Sequence, residues 1–397
     1  MQDVPIVIIG GGLSGLYAAF LLEQKGIAYR LLEARDTLGG RIAVAKFSDM
    51  PHSEQAALDK KAADKEAANK ISDNAESNNA FDLGPSWFWP DYQPQLSSLI
   101  ESLNLSRFAQ FEEGDMMVER AADQLPVRVQ GYKSAPPSMR VVGGMAALIE
   151  ALYARLDASC ITTNQTVQQL IKTDGHIEVQ SKDTSRHVTG YVTTFRAQHV
   201  LLALPPRLVE GRIRFQPALP QNLRTQWQKT ATWMAPHAKY VAVYESPFWR
   251  DNGLSGAARS AVGPLTEIHD ASTLEGNGAL FGFFGIPAQV RQNVSDDVLK
   301  EHCRAQLVRL FGKQADTPIA EYLKDWAQDP LAAMPADVSG DGQHEVAPPS
   351  KPQTGVWQDC LTGCGSEWSA QFPGYIAGAI DAAATAVQSL PATVLSR

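Results

Sequence analysis

Three glycines and one acidic residue near the start of the chain have the spacing of a phosphate-binding turn. Gly10, Gly12 and Gly15 stand in G-x-G-x-x-G order, and Glu33 follows them. Glycine at these three places permits a tight turn, a close backbone approach to a pyrophosphate, and close packing of a helix on a strand. The free N–H groups at the start of that helix bind phosphate, and a carboxylate at Glu33 accepts both ribose hydroxyls of an adenosine. These residues predict a dinucleotide site.

The segments around the glycines have the patterns that such a site needs. The apolar, β-branched run Val4–Ile9 predicts a buried parallel strand. A helical pattern extends from Leu13 to Gln24, and Ser14 in its first turn is a candidate phosphate ligand. A second apolar run, Tyr29–Leu32, ends at the acidic residue. We therefore expect a strand–helix–strand unit that binds the adenosine and pyrophosphate of a dinucleotide.

The residues after Glu33 distinguish between the possible dinucleotides. Glu33-Ala34-Arg35 leads into Gly39-Gly40-Arg41, a second glycine pair that an NAD dehydrogenase does not need. The stretch resembles the FAD fingerprint of the flavin amine oxidase family, which includes monoamine oxidases, polyamine oxidases and L-amino-acid oxidases. The resemblance implies that Ala34, Arg35, Gly40 and Arg41 contact FAD, with the second glycine pair along the diphosphate and ribityl chain.

A second matching segment lies at Asp82-Leu83-Gly84-Pro85-Ser86-Trp87. It is similar to the family's D-L-G-G-x-W/Y motif, except that Pro85 takes the place of the second glycine. The resemblance implies that Ser86 and Trp87 approach the isoalloxazine ring and that Gly84 is a further cofactor contact. The aromatic run Trp87, Phe88 and Trp89 is read either as the lining of a pocket or as plain core.

The middle and the end of the chain carry further family signatures. Lys239 begins a K-x8-F-W motif, and the C-terminal part resembles the family's G-T-E…G-Y-x-x-G-A signature. The resemblance implies backbone contact with adenine at Val167. The other cofactor-binding residues that it implies in the C-terminal part are Glu367, Gly374, Tyr375 and Ile376. A helix starting there would direct its positive end at the reduced flavin.

The resemblance also assigns the residues nearest to the chemistry. Lys239 is expected to hold a water near flavin N5, although spacing alone also allows a surface lysine on an edge strand. Tyr375 corresponds to one aromatic wall of the substrate site, and Trp326 is a third candidate for the catalytic region. Asp329 to Ala336 contains no aromatic for the second wall and no cysteine to tether the flavin. We therefore expect non-covalent FAD. Either another aromatic, such as Trp87 or Trp89, forms the second wall, or the substrate is not a simple arylalkylamine.

Composition excludes several classes of partner. The 397 residues are 44% hydrophobic and carry a net charge of −8, which gives no support for nucleic acid or an anionic membrane as partner. No apolar run is long enough to cross a membrane, and the first strand begins too early for a signal peptide, so we expect a cytoplasmic protein. Four cysteines are too few for a disulfide scaffold, and the scattered histidines predict no metal site.

The predicted fold class is α/β, with a Rossmann-like FAD-binding domain and a second, mixed α/β substrate-binding domain. The FAD-binding domain is expected to comprise residues 1–84, 140–235 and 353–397, and the substrate-binding domain residues 85–139 and 236–352. Residues 49–79 form a charged, low-complexity insertion, read as a solvated helix or a mobile segment. A protein partner for this insertion is an open alternative that nothing in its composition indicates.

These observations predict an FAD-dependent oxidase of a small-molecule amine. The resemblance implies that a hydride passes from the amine's α-carbon to flavin N5, that the imine hydrolyses, and that O2 reoxidises the flavin to give H2O2. Two alternatives stay open. One is an FAD-dependent desaturase or porphyrinogen-oxidase-type enzyme, and the other is a non-catalytic partner protein stabilised by FAD.

Overall fold

A computed structural model of the chain describes residues 2–46, 80–185, 192–274, 276–339 and 346–395. The predicted insertion at 49–79 lies outside the described residues. In chain order the strands are β1 Gln2–Ile9, β2 Tyr29–Leu32, β3 Val44–Lys46, β4 Ala80–Asp82, β5 Arg107–Ala109, β6 Asp115–Glu119, β7 Val127–Val129, β8 Met139–Val141, β9 Ile161–Thr162, β10 Gln165–Lys172, β11 Ile177–Asp183, β12 Val192–Leu202, β13 Arg214–Gln216, β14 Ala238–Tyr244, β15 Leu254–Ser260, β16 Leu265–Asp270, β17 Gly278–Phe284, β18 Ala320–Asp325 and β19 Leu361–Gly363. The α-helices are α1 Leu13–Gln24, α2 Pro94–Ser102, α3 Ala146–Tyr153, α4 Pro206–Arg212, α5 Gln221–Lys229, α6 Phe248–Asp251, α7 Ala288–Arg291, α8 Asp296–Phe311, α9 Pro335–Val338, α10 Ile376–Gln388 and α11 Ala392–Leu395.

The first large sheet is built around the N-terminal strand. Its order is β13-β10-β11-β12-β1-β2-β9, with β19 paired to the end of β12, and β1 runs parallel to both β2 and β12. Alternate residues of β1 enter two separate cores, Ile6 and Ile8 on the side of α1 and α10, Val7 and Ile9 on the other. Burial on both faces explains why this strand is a continuous apolar run.

The second large sheet carries the side chains expected to face the substrate. Its order is β18-β14-β17-β16-β15-β6-β7. One face packs on helix α8 through residues such as Tyr240 and Leu307. The opposite face presents Val241 and Phe281 to a smaller apolar cluster that includes Phe81 from the strand β4. This face therefore lies against the segment that links the two sheets.

The fold class predicted from the sequence is confirmed by the Rossmann-like unit and the mixed α/β sheets. The strands β10 and β11 form an antiparallel hairpin around Asp174-Gly175, a pair of residues typical of a hairpin turn. Asn164, which separates β9 from β10, adopts a left-handed φ of 57°. The domain bounds stay a prediction. No helix among the described residues is both long enough and apolar enough to cross a membrane.

Candidate active site

The first glycine loop places the end of β1 directly against the start of α1. Gly10 has a φ of +107°, and a Cβ on it would lie 2.7 Å from the carbonyl oxygen of Ala203. A Cβ on Gly15 would lie only 1.9 Å from the carbonyl oxygen of Gly10. Gly12 is the N-cap of α1 and provides no side-chain cap. The first-turn N–H groups, which include those of the predicted contacts Leu13 and Ser14, are thus available for an anionic group.

The second glycine pair lies against the first loop, backbone to backbone. The N–H of Gly39 donates to the carbonyl oxygen of Gly11 at 2.9 Å. A Cβ on Gly40, whose φ is +60°, would lie 3.3 Å from Gly12 Cα. Side chains at these positions would fill the groove between the two loops. The sequence prediction that both glycine motifs serve one diphosphate therefore agrees with their contact.

Glu33 organises the far end of the same groove. Its carboxylate accepts hydrogen bonds from the N–H of Gly11 at 2.6 Å and from the N–H of Arg35 at 2.8 Å, and the residue is buried. The carbonyl oxygen of Glu33 accepts the N–H of Gln165 at 2.7 Å, which brings the start of β10 to this point. Val167 follows two residues later and is buried. Two predicted adenosine contacts from distant segments therefore share one end of the first sheet.

We expect Glu33→Gln to weaken FAD binding by the loss of one charge-assisted set of hydrogen bonds. Such bonds contribute about 1.5–3 kcal/mol, which corresponds to roughly a 10- to 100-fold increase in Kd. Titration of the apoprotein with FAD, followed by quenching of flavin fluorescence, measures the change. Glu178→Gln on β11 is the matched control and should bind FAD as the wild type does. Unchanged affinity in Glu33→Gln would remove this carboxylate from the cofactor site.

The predicted cofactor contact Arg35 also joins the two parts of the protein. Its guanidinium Nη2 donates to both carboxylate oxygens of Asp329, at 3.0 and 3.1 Å. Lys324 donates to the same carboxylate at 2.8 Å, and its Nζ lies 4.5 Å from the centre of the Trp326 ring. The loop after Trp326 is thereby held against the adenosine end of the groove. The sequence contained no local signal for this connection.

Arg41 and Glu367, predicted separately from the two ends of the chain, form a bidentate ion pair. Arg41 also donates to the hydroxyl of Ser366 at 3.0 Å, and Glu367 is buried. A Cβ on Gly84 would lie 2.1 Å from the carbonyl oxygen of Arg41. The segment that follows β4 therefore packs directly against the second glycine loop. The ion pair joins the second glycine loop to the C-terminal segment, and it gives the buried carboxylate the partner that it requires.

The C-terminal helix begins where the resemblance placed it. Gly374 has a φ of +81°, Tyr375 is the N-cap, and α10 starts at Ile376. A Cβ on Gly378 would lie 1.9 Å from the carbonyl oxygen of Phe372, so the first turn is closely packed. Tyr375 is 38% exposed. The helix N-terminus supplies a positive end that favours an anionic group.

Lys239 is buried on the interior strand β14, between β18 and β17, and is therefore not a surface lysine on an edge strand. Its ammonium nitrogen donates to the carbonyl oxygen of Gly84 at 3.1 Å and to the hydroxyl of Ser86 at 2.8 Å. The same nitrogen lies 4.0 Å from the centre of the Phe281 ring. The structure thus brings Lys239 to Gly84 and Ser86, two residues of the predicted cofactor site.

Two buried charged residues near Lys239, Asp82 and Arg140, were not predicted as site residues. Burial lowers the pKa of Lys239 to about 7, against the attraction of Asp82, which raises it; Arg140 lowers it further. Burial likewise raises the pKa of the Asp82 carboxyl, although Lys239 and Arg140 lower it. The Asp82 carboxylate accepts the N–H of Met145 at 2.8 Å. Asp82 belongs to the D-L-G motif, and a charged residue within that motif is the signal by which the sequence could have identified it as a site residue.

The aromatic residues Trp87, Phe88 and Trp89 do not share one environment, so neither pocket lining nor plain core describes the whole run. Phe88 is fully buried in the core of the first sheet. Trp87 is half-buried, and its ring lies 5.4 Å from Phe281 and 4.9 Å edge-on from His269, on the substrate-facing side of the second sheet. Trp89 donates its indole N–H to the hydroxyl of Ser138. Trp87 is therefore the member of the run that lies beside Lys239.

The third candidate for the catalytic region, Trp326, is buried and donates its indole N–H to the carbonyl oxygen of Leu83 at 3.2 Å. It follows β18, whose residue Lys324 is directly opposite Lys239. The D-L-G-x-x-W segment is therefore held from both sides, by Lys239 at Gly84 and Ser86 and by Trp326 at Leu83.

Four arginines, Arg120, Arg128, Arg140 and Arg259, are candidates to bind a substrate carboxylate, and the structure shows protein acceptors for the last three. Arg140 donates to the carbonyl oxygens of Ala271 and Ser272. Arg128 pairs with Asp115 and Arg259 pairs with Glu267. Their guanidinium groups stabilise the second sheet and its contacts, so none of the three is a clear clamp for an amino-acid carboxylate.

The donor set and shape of the site fit FAD. The two glycine loops form a groove that a Cβ would fill, the first turn of α1 offers N–H groups for phosphate, and Glu33 offers a carboxylate for a ribose. The groove continues past the Arg41–Glu367 pair to Ser86 and the N-terminus of α10.

Comparison with known proteins identifies the family. Residues 111–390 match the family described as flavin containing amine oxidoreductase, and residues 8–60 match the NAD(P)-binding Rossmann-like domain. The chain is 23% identical to the probable flavin-containing monoamine oxidase A of Dictyostelium discoideum, with 95% of each chain covered. It is 30% identical to the putrescine oxidase of Kocuria rosea over 203 residues, which cover 48% of this chain and 40% of that one.

Solved structures with the same fold agree with these matches. Wild-type putrescine oxidase bound to putrescine superposes with a TM-score of 0.74 at 19% identity, covering 100% of both chains. Cyclohexylamine oxidase from Brevibacterium oxydans IH-35A also gives a TM-score of 0.74 at 19% identity, covering 100% of this chain and 99% of that one. The chain belongs to the flavin-containing amine oxidoreductase family and is an FAD-dependent amine oxidoreductase.

Proposed function

We propose that the protein oxidises a small-molecule amine at its α-carbon, with O2 as the final electron acceptor and H2O2 as the product. The observation that carries the proposal is the placement of Lys239, buried and bonded to Gly84 and Ser86 on the segment between the two sheets. An isolated buried lysine is costly, and this one lies at the junction of the cofactor groove and the substrate-facing sheet. The family match and the named activities of relatives support the same chemistry.

The residues proposed to hold the cofactor follow the groove from one end to the other. They are Gly10, Gly12, Leu13, Ser14, Gly15, Glu33, Ala34, Arg35, Gly40, Arg41, Gly84, Ser86, Trp87, Val167, Glu367, Gly374, Tyr375 and Ile376. FAD, when bound there, supplies the acceptor for a hydride equivalent from the amine's α-carbon. The protein supplies position and electrostatics: the positive N-terminal end of α10 favours negative charge at the pyrimidine end of the ring.

The substrate must be present as the neutral amine, because an ammonium ion has no lone pair to support hydride loss. Burial among aromatic side chains lowers the pKa of an amine, and the substrate-facing sheet offers such surroundings. Lys239 is a cation near neutral pH for only part of the population, since its pKa lies at about 7. A partly neutral lysine repels a substrate cation less than a fully charged one.

The substrate walls proposed here differ from a simple pair of stacked aromatics. Tyr375 forms one wall, and its exposure leaves its ring accessible. The loop after Trp326 has no aromatic and is held by Asp329 to Arg35 and Lys324. We assign Trp87, which contacts Phe281, to the other side. The imine formed is released and hydrolyses to a carbonyl compound and ammonia or an amine.

Peroxide release tests the proposed function. The holoenzyme is assayed in air with a panel of amines that includes putrescine and cyclohexylamine, for which relatives are named, together with arylalkylamines and L-amino acids. At least one amine should give H2O2 and a carbonyl product in equal amounts. Carbonyl product without peroxide would reject O2 as the acceptor, and no product from any amine would reject the proposed oxidation.

We predict that the FAD is bound without a covalent link. Three of the four cysteines are buried in cores, and burial raises the pKa of Cys360 to about 11 and that of Cys364 to about 12. A thiol of this kind is a poor nucleophile at neutral pH. Acid precipitation of the holoenzyme should therefore leave all of its flavin in the supernatant. Flavin that stays in the washed pellet would contradict the prediction.

A further inference from the structure

Trp87, the ring proposed for the second wall of the substrate site, has its indole N–H bound by the side chain of Gln110. The N–H donates to the amide oxygen of Gln110 at 2.8 Å. This N–H is the one polar group of a tryptophan side chain, and it can only donate. The rings of Phe281 and His269 support Trp87 at centre-to-centre distances of 5.4 and 4.9 Å. Ring packing and one acceptor together therefore decide where this wall lies.

The contacts of the Gln110 amide fix its orientation. Its nitrogen lies 2.7 Å from the carbonyl oxygen of Asp270 and 3.3 Å from the carbonyl oxygen of Phe111. Carbonyl oxygens only accept, so the amide nitrogen must face them and the amide oxygen must face Trp87. A flipped amide would place oxygen against oxygen at one end and N–H against N–H at the other. Gln110 is 8% exposed, so water offers little compensation for such a flip, and the residue is a fixed acceptor.

The residue that anchors Gln110 is a buried part of the second sheet. Asp270 ends β16 and is 1% exposed. Its carboxylate accepts the indole N–H of Trp249 at 2.9 Å and the guanidinium of Arg250 at 2.8 Å. The carbonyl that holds the Gln110 amide therefore belongs to a residue that is itself held from other directions. Through Gln110, the position of the Trp87 ring is set relative to the second sheet and not only by its own loop.

We propose that Gln110 is a positioning residue that sets the width of the substrate site by holding Trp87. This role rests on the proposed function, which makes Trp87 the wall opposite Tyr375. A wall that packs on the body of the amine contributes equally before and during hydride transfer. Its displacement therefore weakens amine binding and leaves the rate of the bound complex nearly unchanged. Gln110 acts on the amine through Trp87 alone.

Anaerobic stopped-flow reduction of the holoenzyme, over a range of concentrations of the amine that reduces it fastest, separates amine binding from the rate of the bound complex. Gln110→Met keeps the length of the side chain and removes the amide. We expect about a tenfold rise in the apparent Kd of the amine, with the limiting reduction rate within about threefold of the wild type. Trp87→Phe removes the indole N–H and should also raise the apparent Kd. In the Trp87→Phe background, Gln110→Met should add nothing further, because the donor is already gone.

Gln306→Met is the matched control for the loss of a buried amide. Gln306 on α8 is a buried glutamine that binds the other end of β16, where it accepts from the N–H of Leu265 at 2.9 Å and donates to its carbonyl oxygen at 2.7 Å. This variant should melt at a lower temperature than the wild type but bind the amine equally well. An equal rise in apparent Kd in Gln306→Met would overturn the inference. Additive rises in Gln110→Met and Trp87→Phe would overturn it as well.

The position of Trp87 can also be measured without any amine. Subtracting the near-ultraviolet circular dichroism of Trp87→Phe from that of the wild type isolates the band of this indole. Gln110→Met should lose most of that band and Gln306→Met should retain it, whereas a full band in Gln110→Met would overturn the proposed positioning. If no amine reduces the flavin, the proposed amine oxidation fails, and this band alone decides whether Gln110 positions Trp87.

Discussion

Lys239→Met is expected to retain bound FAD and to slow the reduction of that FAD by an amine by about 100-fold, the size of effect typical of a group that manages a proton or a hydrogen bond in the transition state. The methionine stem fills nearly the same volume, but the hydrogen bonds to Gly84 and Ser86 are lost. Stopped-flow absorbance under anaerobic conditions measures the reduction rate, and a second mixing with O2 measures reoxidation.

The control for this variant is Lys313→Met, which replaces an exposed lysine just after helix α8. It should match the wild type in both half-reactions. If Lys239→Met also reduced and reoxidised its flavin at the wild-type rates, Lys239 would have no part in turnover. If instead it lost its FAD, the lysine would be a structural support of the Gly84–Trp87 segment rather than a residue that acts during the reaction.

Gly15→Ala is expected to weaken FAD binding strongly. The added Cβ would lie 1.9 Å from the carbonyl oxygen of Gly10, a backbone atom that cannot rotate away. Separating the two requires α1 to move off β1, at a cost of about 3 kcal/mol or more, which corresponds to roughly a 100-fold loss in FAD affinity or greater. The ratio of flavin to protein absorbance after purification measures the occupancy.

Gly175→Ala is the matched control, because a Cβ there has no heavy atom within 4 Å. The variant should be purified with the same flavin content as the wild type. Full FAD occupancy in Gly15→Ala would mean that the close approach of α1 to β1 is unnecessary for the cofactor. The melting temperature of each apoprotein separates a local effect on the groove from a loss of the fold.

The sequence was most informative where geometry leaves one choice of residue. Gly10 and Gly15 are required by contacts shorter than any side chain permits, so their spacing predicted the first unit of the fold. Gly374 and Tyr375 likewise predicted the start of the last helix. These features are local, since each depends on residues only a few positions apart.

Contacts between distant segments could not be predicted in the same way. Arg35 and Asp329 are separated by 294 positions, and their pairing depends on how the second sheet lies against the first. Asp82 appeared in a matched motif, but its approach to Lys239 and Arg140 follows from the packing of β4 on β14. Lys239 and Ser86 are separated by 153 positions, and their hydrogen bond likewise depends on how the second sheet packs against the segment after β4.

Anaerobic mixing of the holoenzyme with a panel of amines and amino acids tests the proposed amine oxidation most directly. The visible flavin band should bleach with at least one amine, and the rate should rise with pH as more of the amine becomes neutral. Bleaching identifies the electron donor whatever the final acceptor is. A flavin that dithionite reduces but that no amine in the panel reduces would contradict the proposed activity.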